Sequence, residues 1–103
     1  MKLLVIGSGG REHAIIESLY RSDPTRELYA LPGNPGMATK ATCIEGACDD
    51  IAFIVSCIQE HAIDLTIVGP EVPLCLGLVD AIEEAGFLAF GPSAKAATLE
   101  GSK

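Results

Sequence analysis

Basic residues are scarce in this sequence. Seven Lys and Arg stand against fourteen Asp and Glu, for a formal net charge of -7, and the seven are scattered. Such a chain offers no broad positive field to a nucleic-acid duplex or an anionic membrane, so neither is expected as a partner. A phosphate ligand stays open, because backbone N–H groups bind one without net positive charge. Long apolar runs are missing as well. Met1-Lys2 leads into Leu3-Leu4-Val5-Ile6 and then glycines, too short a run for a signal-peptide core or a membrane span. The four cysteines, Cys43, Cys48, Cys57 and Cys75, contain no CxxC pair, and His13 and His61 stand in no finger spacing to them. No metal site is therefore expected. Without an export signal, free reduced thiols in a cytoplasmic protein are the expectation. Cys57 and Cys75 fall in apolar helical surroundings, where Cys packs as a small hydrophobe. Tryptophan is absent altogether.

What is present is aliphatic. Of 103 residues 49% are hydrophobic, mostly Ala, Ile, Leu and Val, a mix suited to a parallel sheet buried between helices. The length fits one domain, residues 1–103, and not two. Short apolar runs alternate with helix-period segments. Strands are expected at 2–6, 27–31, 64–68 and 87–90, and helices at 11–21, 50–60, 74–85 and from Ser93 to about residue 99. In the first helix Ala14, Ile15, Ser18 and Leu19 read as one side; in the second, Ile51, Ile54, Val55 and Ile58; in the third, Leu74, Leu78, Ile82 and Ala85. Asp49 or Asp50 reads as the cap of the second helix, and Gly86 as the stop of the third. Residues 37–48 are ambiguous, with a short extended piece around 42–44. The alternation implies an α/β fold of three layers, a parallel sheet of about four strands with helices on both faces.

In such sheets ligands bind beyond the carboxyl ends of the strands. Each expected strand end carries a glycine: Gly7, Gly33, Gly69 and Gly91. The first loop, Gly7-Ser8-Gly9-Gly10-Arg11-Glu12-His13, joins a strand to a helix. Its glycines permit a tight turn and close approach to the backbone, and the helix start favours an anion. Arg11 adds a forked cationic donor. A dinucleotide is disfavoured, because the third glycine of GxGxxG is replaced by Glu12 and the second strand ends at Leu31-Pro32 without an acidic residue. The GxxxxGK[ST] phosphate loop is absent too. Glu12 is counted with the site, local pairing or a place on the first helical turn being its alternative; His13 reads as a positioned helix residue. The second loop, Pro32-Gly33-Asn34-Pro35-Gly36, and the third, Gly69-Pro70-Glu71-Val72-Pro73, complete the edge. Ser93 reads as a helix cap. No catalytic nucleophile–base pair is legible.

At these loops the sequence resembles the phosphoribosylamine–glycine ligase family. The matching stretches are Val5 through Ala14, Pro32 through Gly36, Asp64 through Leu74, and Phe90 through Ser93 with Ala96-Ala97 and Leu99-Glu100-Gly101-Ser102-Lys103. They fall in family order and spacing; residues 37–62 match less distinctively. The resemblance implies a Rossmann-like pre-ATP-grasp domain that holds 5-phosphoribosylamine or its product, glycinamide ribonucleotide, in purine biosynthesis. In the family, ATP, accompanied by Mg, phosphorylates glycine and the amine attacks the acyl phosphate. Position by position, the resemblance implies that Gly9, Gly10 and Arg11 cradle the 5′-phosphate. It places Asn34, Pro35 and Gly36 along the sugar, and Gly69, Pro70 and Glu71 at the ribose and amine end. The family continues into an ATP-grasp and a C-terminal domain, so ATP and Mg are expected outside this chain, which alone should be inactive. Exposed interdomain surface should favour self-association. The alternative reading is a stand-alone phosphosugar- or nucleotide-binding module.

Overall fold

The computed structural model describes residues 1–47, 50–68 and 75–91, with residues 75 and 76 as backbone only. Its centre is strand β1, Lys2–Gly7, in which Leu3, Leu4, Val5 and Ile6 are all buried. A strand apolar on both faces needs cover on both. Strand β2, Glu27–Pro32, lies parallel to β1 on one side, in register from Lys2 opposite Glu27 to Gly7 opposite Pro32. Strand β4, Leu65–Val68, lies parallel on the other, from Leu3 opposite Leu65 to Ile6 opposite Val68. Two-residue strands complete the edges: β3, Thr42–Cys43, beside β2, and β5, Ala89–Phe90, beside β4. The order is β3-β2-β1-β4-β5, all parallel. The sheet therefore has five strands rather than about four. The extra one is β3, within the stretch read as a short extended piece, and Ile44 N–H donates to Ala30 O at 2.7 Å beside it.

Strand period two sorts the core into two layers. Leu3, Val5, Leu28 and Ala30 face helix α1, Gly10–Ser22, through Ile16, together with Met37 and Ala41 from a 3-10 turn at Met37–Thr39 and the residues just after it. Leu4, Ile6, Leu31 and Val68 face helices α2, Ile51–His61, and α3, Cys75–Glu84, through Ile54, Cys57, Ile58, Leu78, Val79 and Ile82. Each fully buried aliphatic side chain contributes about 1.5–3 kcal/mol, so these two layers supply the main drive to fold. Burial also pushes the Cys57 thiol up from its ordinary value, with Glu60 adding to the shift; a thiol held protonated in this way packs as a hydrophobe.

The three described helices form where expected, with one change of phase. In α1 the buried residues are Glu12 and Ile16, flanked by half-buried Ile15 and Leu19, while Ala14 and Ser18 are exposed. Spacing 12, 15, 16, 19 is a helical face, rotated from the expected one because a glutamate occupies an inward position. Asp50 caps α2, its carboxylate accepting from Phe53 N–H at 3.1 Å. Gly86, at φ 92°, follows the end of α3. In α3, Leu78 and Ile82 are buried and Ala85 is exposed.

Chain direction now fixes the site. From β1 the chain steps through α1 to β2 and β3, then returns through α2 to β4 on the far side of β1. Right-handed crossovers put α1 on one face and α2 and α3 on the other. The resulting Rossmann-like sheet reverses its strand order at β1, and in sheets of this kind ligands bind beyond the carboxyl ends at that point. The expected loop residues Gly69, Pro70 and Glu71, and the helix begun by Ser93, lie outside the described residues.

Candidate functional site at the carboxyl edge of the sheet

Gly7 closes β1 with φ 133°, a backbone angle that side-chain-bearing residues avoid. It is buried, whereas Ser8, Gly9, Gly10 and Arg11 are exposed on the edge. Gly9 caps α1 at φ -86°, ψ -179°, and Gly10 is the first helical residue; the first intrahelical bond is His13 N–H to Gly9 O, at 3.0 Å. The amides of a first helical turn have no acceptor within the helix. Those of Gly10 and Arg11 belong to exposed residues, at the positive end of a 13-residue helix.

Gly9 and Gly10 differ from Gly7 in what makes them glycine. Neither has a positive φ. A methyl group on Gly10 would meet nothing within 4 Å, and one on Gly9 would meet only the Glu12 carboxylate, at 3.6 Å or more. Neither backbone angle nor packing requires glycine at these two positions. They keep the outer surface of the loop bare.

Glu12 approaches the same loop from beneath. It is 2% exposed, and its carboxylate fills the place where a side chain on Gly7 would go. As the third helical residue it stands where a capping-box glutamate folds back toward the cap. It therefore supports the loop from the protein side, while Arg11 stands on the solvent side. In a dinucleotide fingerprint this position is a glycine that lets helix and strand pack closely; here the space holds a buried carboxylate.

The second loop is laced to the first. After the cis Leu31–Pro32 peptide, Gly33 takes φ 73° and donates its N–H to Gly7 O at 3.1 Å. Asn34 donates from Nδ2 to Ser8 O at 2.9 Å and accepts at Oδ1 from Met37 N–H, also at 2.9 Å. Its backbone carbonyl accepts from Ala38 N–H at 3.0 Å. Both ends of the Asn34 amide are thus engaged in tying the loops together. Pro35 is exposed and Gly36 half-buried beside them. The structure brings Gly9, Gly10, Arg11, Glu12, Asn34, Pro35 and Gly36 to one edge.

Two participants were not legible as such in the sequence. Cys43 packs behind the second loop, where a methyl group on Gly33 would lie 2.5 Å from its Sγ. His13 reaches from α1 to Gly36; the only sequence signal for it is the glycine. An open depression of about 530 Å³, lined by residues including Tyr20, Arg26, Glu27 and Lys40, shares no residue with either loop. Its cations are already engaged, Lys40 with Glu17 at 3.3 Å and Arg26 with Leu19 O at 3.3 Å, so the glycine edge is the better candidate. Among the described residues no helix is long and apolar enough to cross a membrane.

With this geometry in hand, comparison with known proteins is informative. Residues 1–100 match the family described as phosphoribosylglycinamide synthetase, N domain. The whole chain is 48% identical to phosphoribosylamine–glycine ligase of Caldanaerobacter subterraneus subsp. tengcongensis, covering 25% of that protein. It is 52% identical to phosphoribosylamine–glycine ligase of Xanthomonas campestris pv. campestris, covering 24%. The chain thus spans about one quarter of the length of these relatives. The crystal structure of phosphoribosylamine–glycine ligase from Thermotoga maritima matches 92% of this chain and 20% of that one, at TM-score 0.60 and 20% identity. The leucoanthocyanidin reductase–NADPH complex from Vitis vinifera matches 85% of this chain and 31% of that one, at TM-score 0.64 and 23% identity. At such low identity the two structures speak for the fold alone.

Proposed function

Because this chain belongs to the phosphoribosylglycinamide synthetase N-domain family, we propose that it is the phosphosugar-binding unit of an ATP-dependent ligase joining glycine to 5-phosphoribosylamine. The observation that carries this is the bare loop at the start of α1. Gly9 and Gly10 have no conformational or packing reason to be glycine, and sit exposed at the positive end of a helix. That combination suits a phosphate approaching the backbone.

In this reading the first-turn amides and the Arg11 guanidinium hold the 5′-phosphate. Glu12 acts from behind, keeping the loop in shape rather than touching the phosphate. Asn34, Pro35 and Gly36 wall the sugar, with Asn34 acting chiefly through its two scaffold bonds. Gly69, Pro70 and Glu71 are assigned to the ribose and amine end on the family pattern. The unit contributes to catalysis by orienting the amine toward an acyl phosphate formed elsewhere. ATP and Mg are assigned to an ATP-grasp domain in the remaining length of the enzyme, which also includes a C-terminal domain. The proposed setting is cytoplasmic purine biosynthesis.

Residues 1–103 form one unit in this proposal, bind the phosphosugar or glycinamide ribonucleotide, and do not turn over alone. Leu88 and Phe90, 70% and 71% exposed, mark the surface through which an isolated unit self-associates. The test is calorimetric titration of the 103-residue chain with ribose 5-phosphate and glycinamide ribonucleotide, wild type against Arg11→Ala. The expected result is saturable binding weakened about tenfold or more by the loss of a charge-assisted contact. Equal affinity in both chains removes Arg11 from the site. Restored turnover on adding the remaining domains in trans separates a ligase unit from a stand-alone binding module.

A further inference from the structure

Gly36 is a glycine without a conformational cause. Its backbone, φ -67° and ψ -38°, is ordinary right-handed helical geometry that any residue adopts. The space above it, however, is taken. A methyl group there would lie 2.5 Å from His13 Cε1, 3.2 Å from His13 Nδ1 and 3.3 Å from Asn34 Oδ1. The imidazole edge therefore rests against the bare Gly36 backbone, next to the Asn34 oxygen that accepts from Met37 N–H.

The ring is held from its other side. His13 Nε2 lies 3.4 Å from Glu17 Oε1, one turn along α1, and Glu17 Oε2 lies 3.3 Å from Lys40 Nζ. Lys40 in turn stands 5.6 Å over the Tyr20 ring and just beyond the 3-10 turn, Met37–Thr39, that the second loop enters. Helix α1 is thus tied to this stretch of chain at two points, at Gly36 through the ring and at Lys40, past the 3-10 turn, through Glu17.

From this we infer that His13 is a positioning residue for the phosphosugar site: its ring is a wedge that sets the height of the Asn34–Gly36 wall above the glycine loop. The inference rests on the phosphosugar reading above and adds to it a residue that does not itself touch the ligand. It also accounts for Gly36, whose missing side chain is the room the wedge needs. The His13 side chain is 36% exposed, so a methyl group on Gly36 can expel the ring into solvent at little cost in stability. What is lost then is the placement of the wall.

The test is a double-mutant cycle on the 103-residue chain, read by ribose 5-phosphate affinity and, separately, by the urea midpoint. Gly36→Ala and His13→Ala should each weaken affinity about five- to tenfold, the scale of a site held too loosely, with little change in midpoint. The double variant should bind no more weakly than either single one, since both remove the same wedge. His13→Phe, which keeps a ring against Gly36, should recover most of the affinity. Should His13→Ala fail to fold, Gly36→Ala and His13→Phe still decide the matter. Wild-type affinity in Gly36→Ala, or losses that add in the double variant, overturn the wedge while leaving the phosphosugar reading intact. Absence of saturable binding to the wild-type chain overturns that reading, and the wedge falls with it.

Discussion

Two kinds of glycine meet at residues 7 to 10, and they should respond to alanine in opposite ways. Gly7 is needed by the fold: its φ of 133° disfavours a side chain and the Glu12 carboxylate occupies the space. Gly7→Ala should cost about 1–3 kcal/mol from the backbone angle alone, read as a lower urea midpoint. Gly10 is helical with open space above it. Gly10→Ala should leave stability unchanged or raise it by about 0.5–1 kcal/mol, yet weaken ribose 5-phosphate binding. A stability loss at Gly10 matching that at Gly7 would place both glycines in the fold and neither in the site. Glu12 carries the matching lesson about reading sequences. Apolar periodicity gives an inward place to Ala14, Ile15, Ser18 and Leu19 and none to a glutamate; of these four, Ile15 and Leu19 pack against the core. The structure turns the helix so that Glu12 and Ile16 point inward. A carboxylate recruited to brace a loop leaves no trace in a hydrophobic pattern.

At the scale of elements, the long strands and all three described helices were legible because burial on both faces of β1 and the 3.6-residue period of the helices leave strong marks. The short edge strand β3 was legible only as an extended piece around 42–44 and not as a fifth strand, since its pairing to β2 is not written in two residues. The end of α2 came within one residue of the expected 60, but its left-handed cap at Ala62, φ 55° without being glycine, left no mark in the sequence. Of the candidate site, the glycine loops at residues 7–10 and 32–36 were legible, but the bonds of Asn34 to Ser8 and Met37, and the contact of His13 with Gly36, need three dimensions. Strand β4 offers an independent test of the core. Thr66 is fully buried on the face shared with Leu4 and Ala89, and its hydroxyl has no hydrogen-bond partner among the described residues. An unsatisfied buried hydroxyl costs free energy that an apolar group of the same shape does not. Thr66→Val should therefore raise stability by about 1 kcal/mol, measured as a higher urea midpoint. A lower midpoint would mean that the hydroxyl has a partner.

At the scale of the molecule, the described residues cover the two faces of the sheet unequally. The face under α2 and α3 is closed by a continuous core, whereas on the α1 side Leu65 and Ile67 are only half-buried and Leu88 and Phe90 stand exposed at the β5 edge. Under the proposed function such a surface fits a contact with the ATP-grasp domain assigned there. In isolation it should drive concentration-dependent association, which sedimentation velocity detects. Leu88→Ser with Phe90→Ser should shift the population toward monomer without changing ribose 5-phosphate affinity; unchanged association would assign the contact to another surface. The proposed function comes down to one contact, a phosphate held by the amides at the start of α1. That contact is tested most directly by following backbone amide resonances during a ribose 5-phosphate titration. Saturable shifts should centre on Gly9, Gly10 and Arg11, extend to residues 34–36, and vanish when plain ribose replaces the phosphate ester. Shifts centred elsewhere, or equal shifts with ribose, would contradict it.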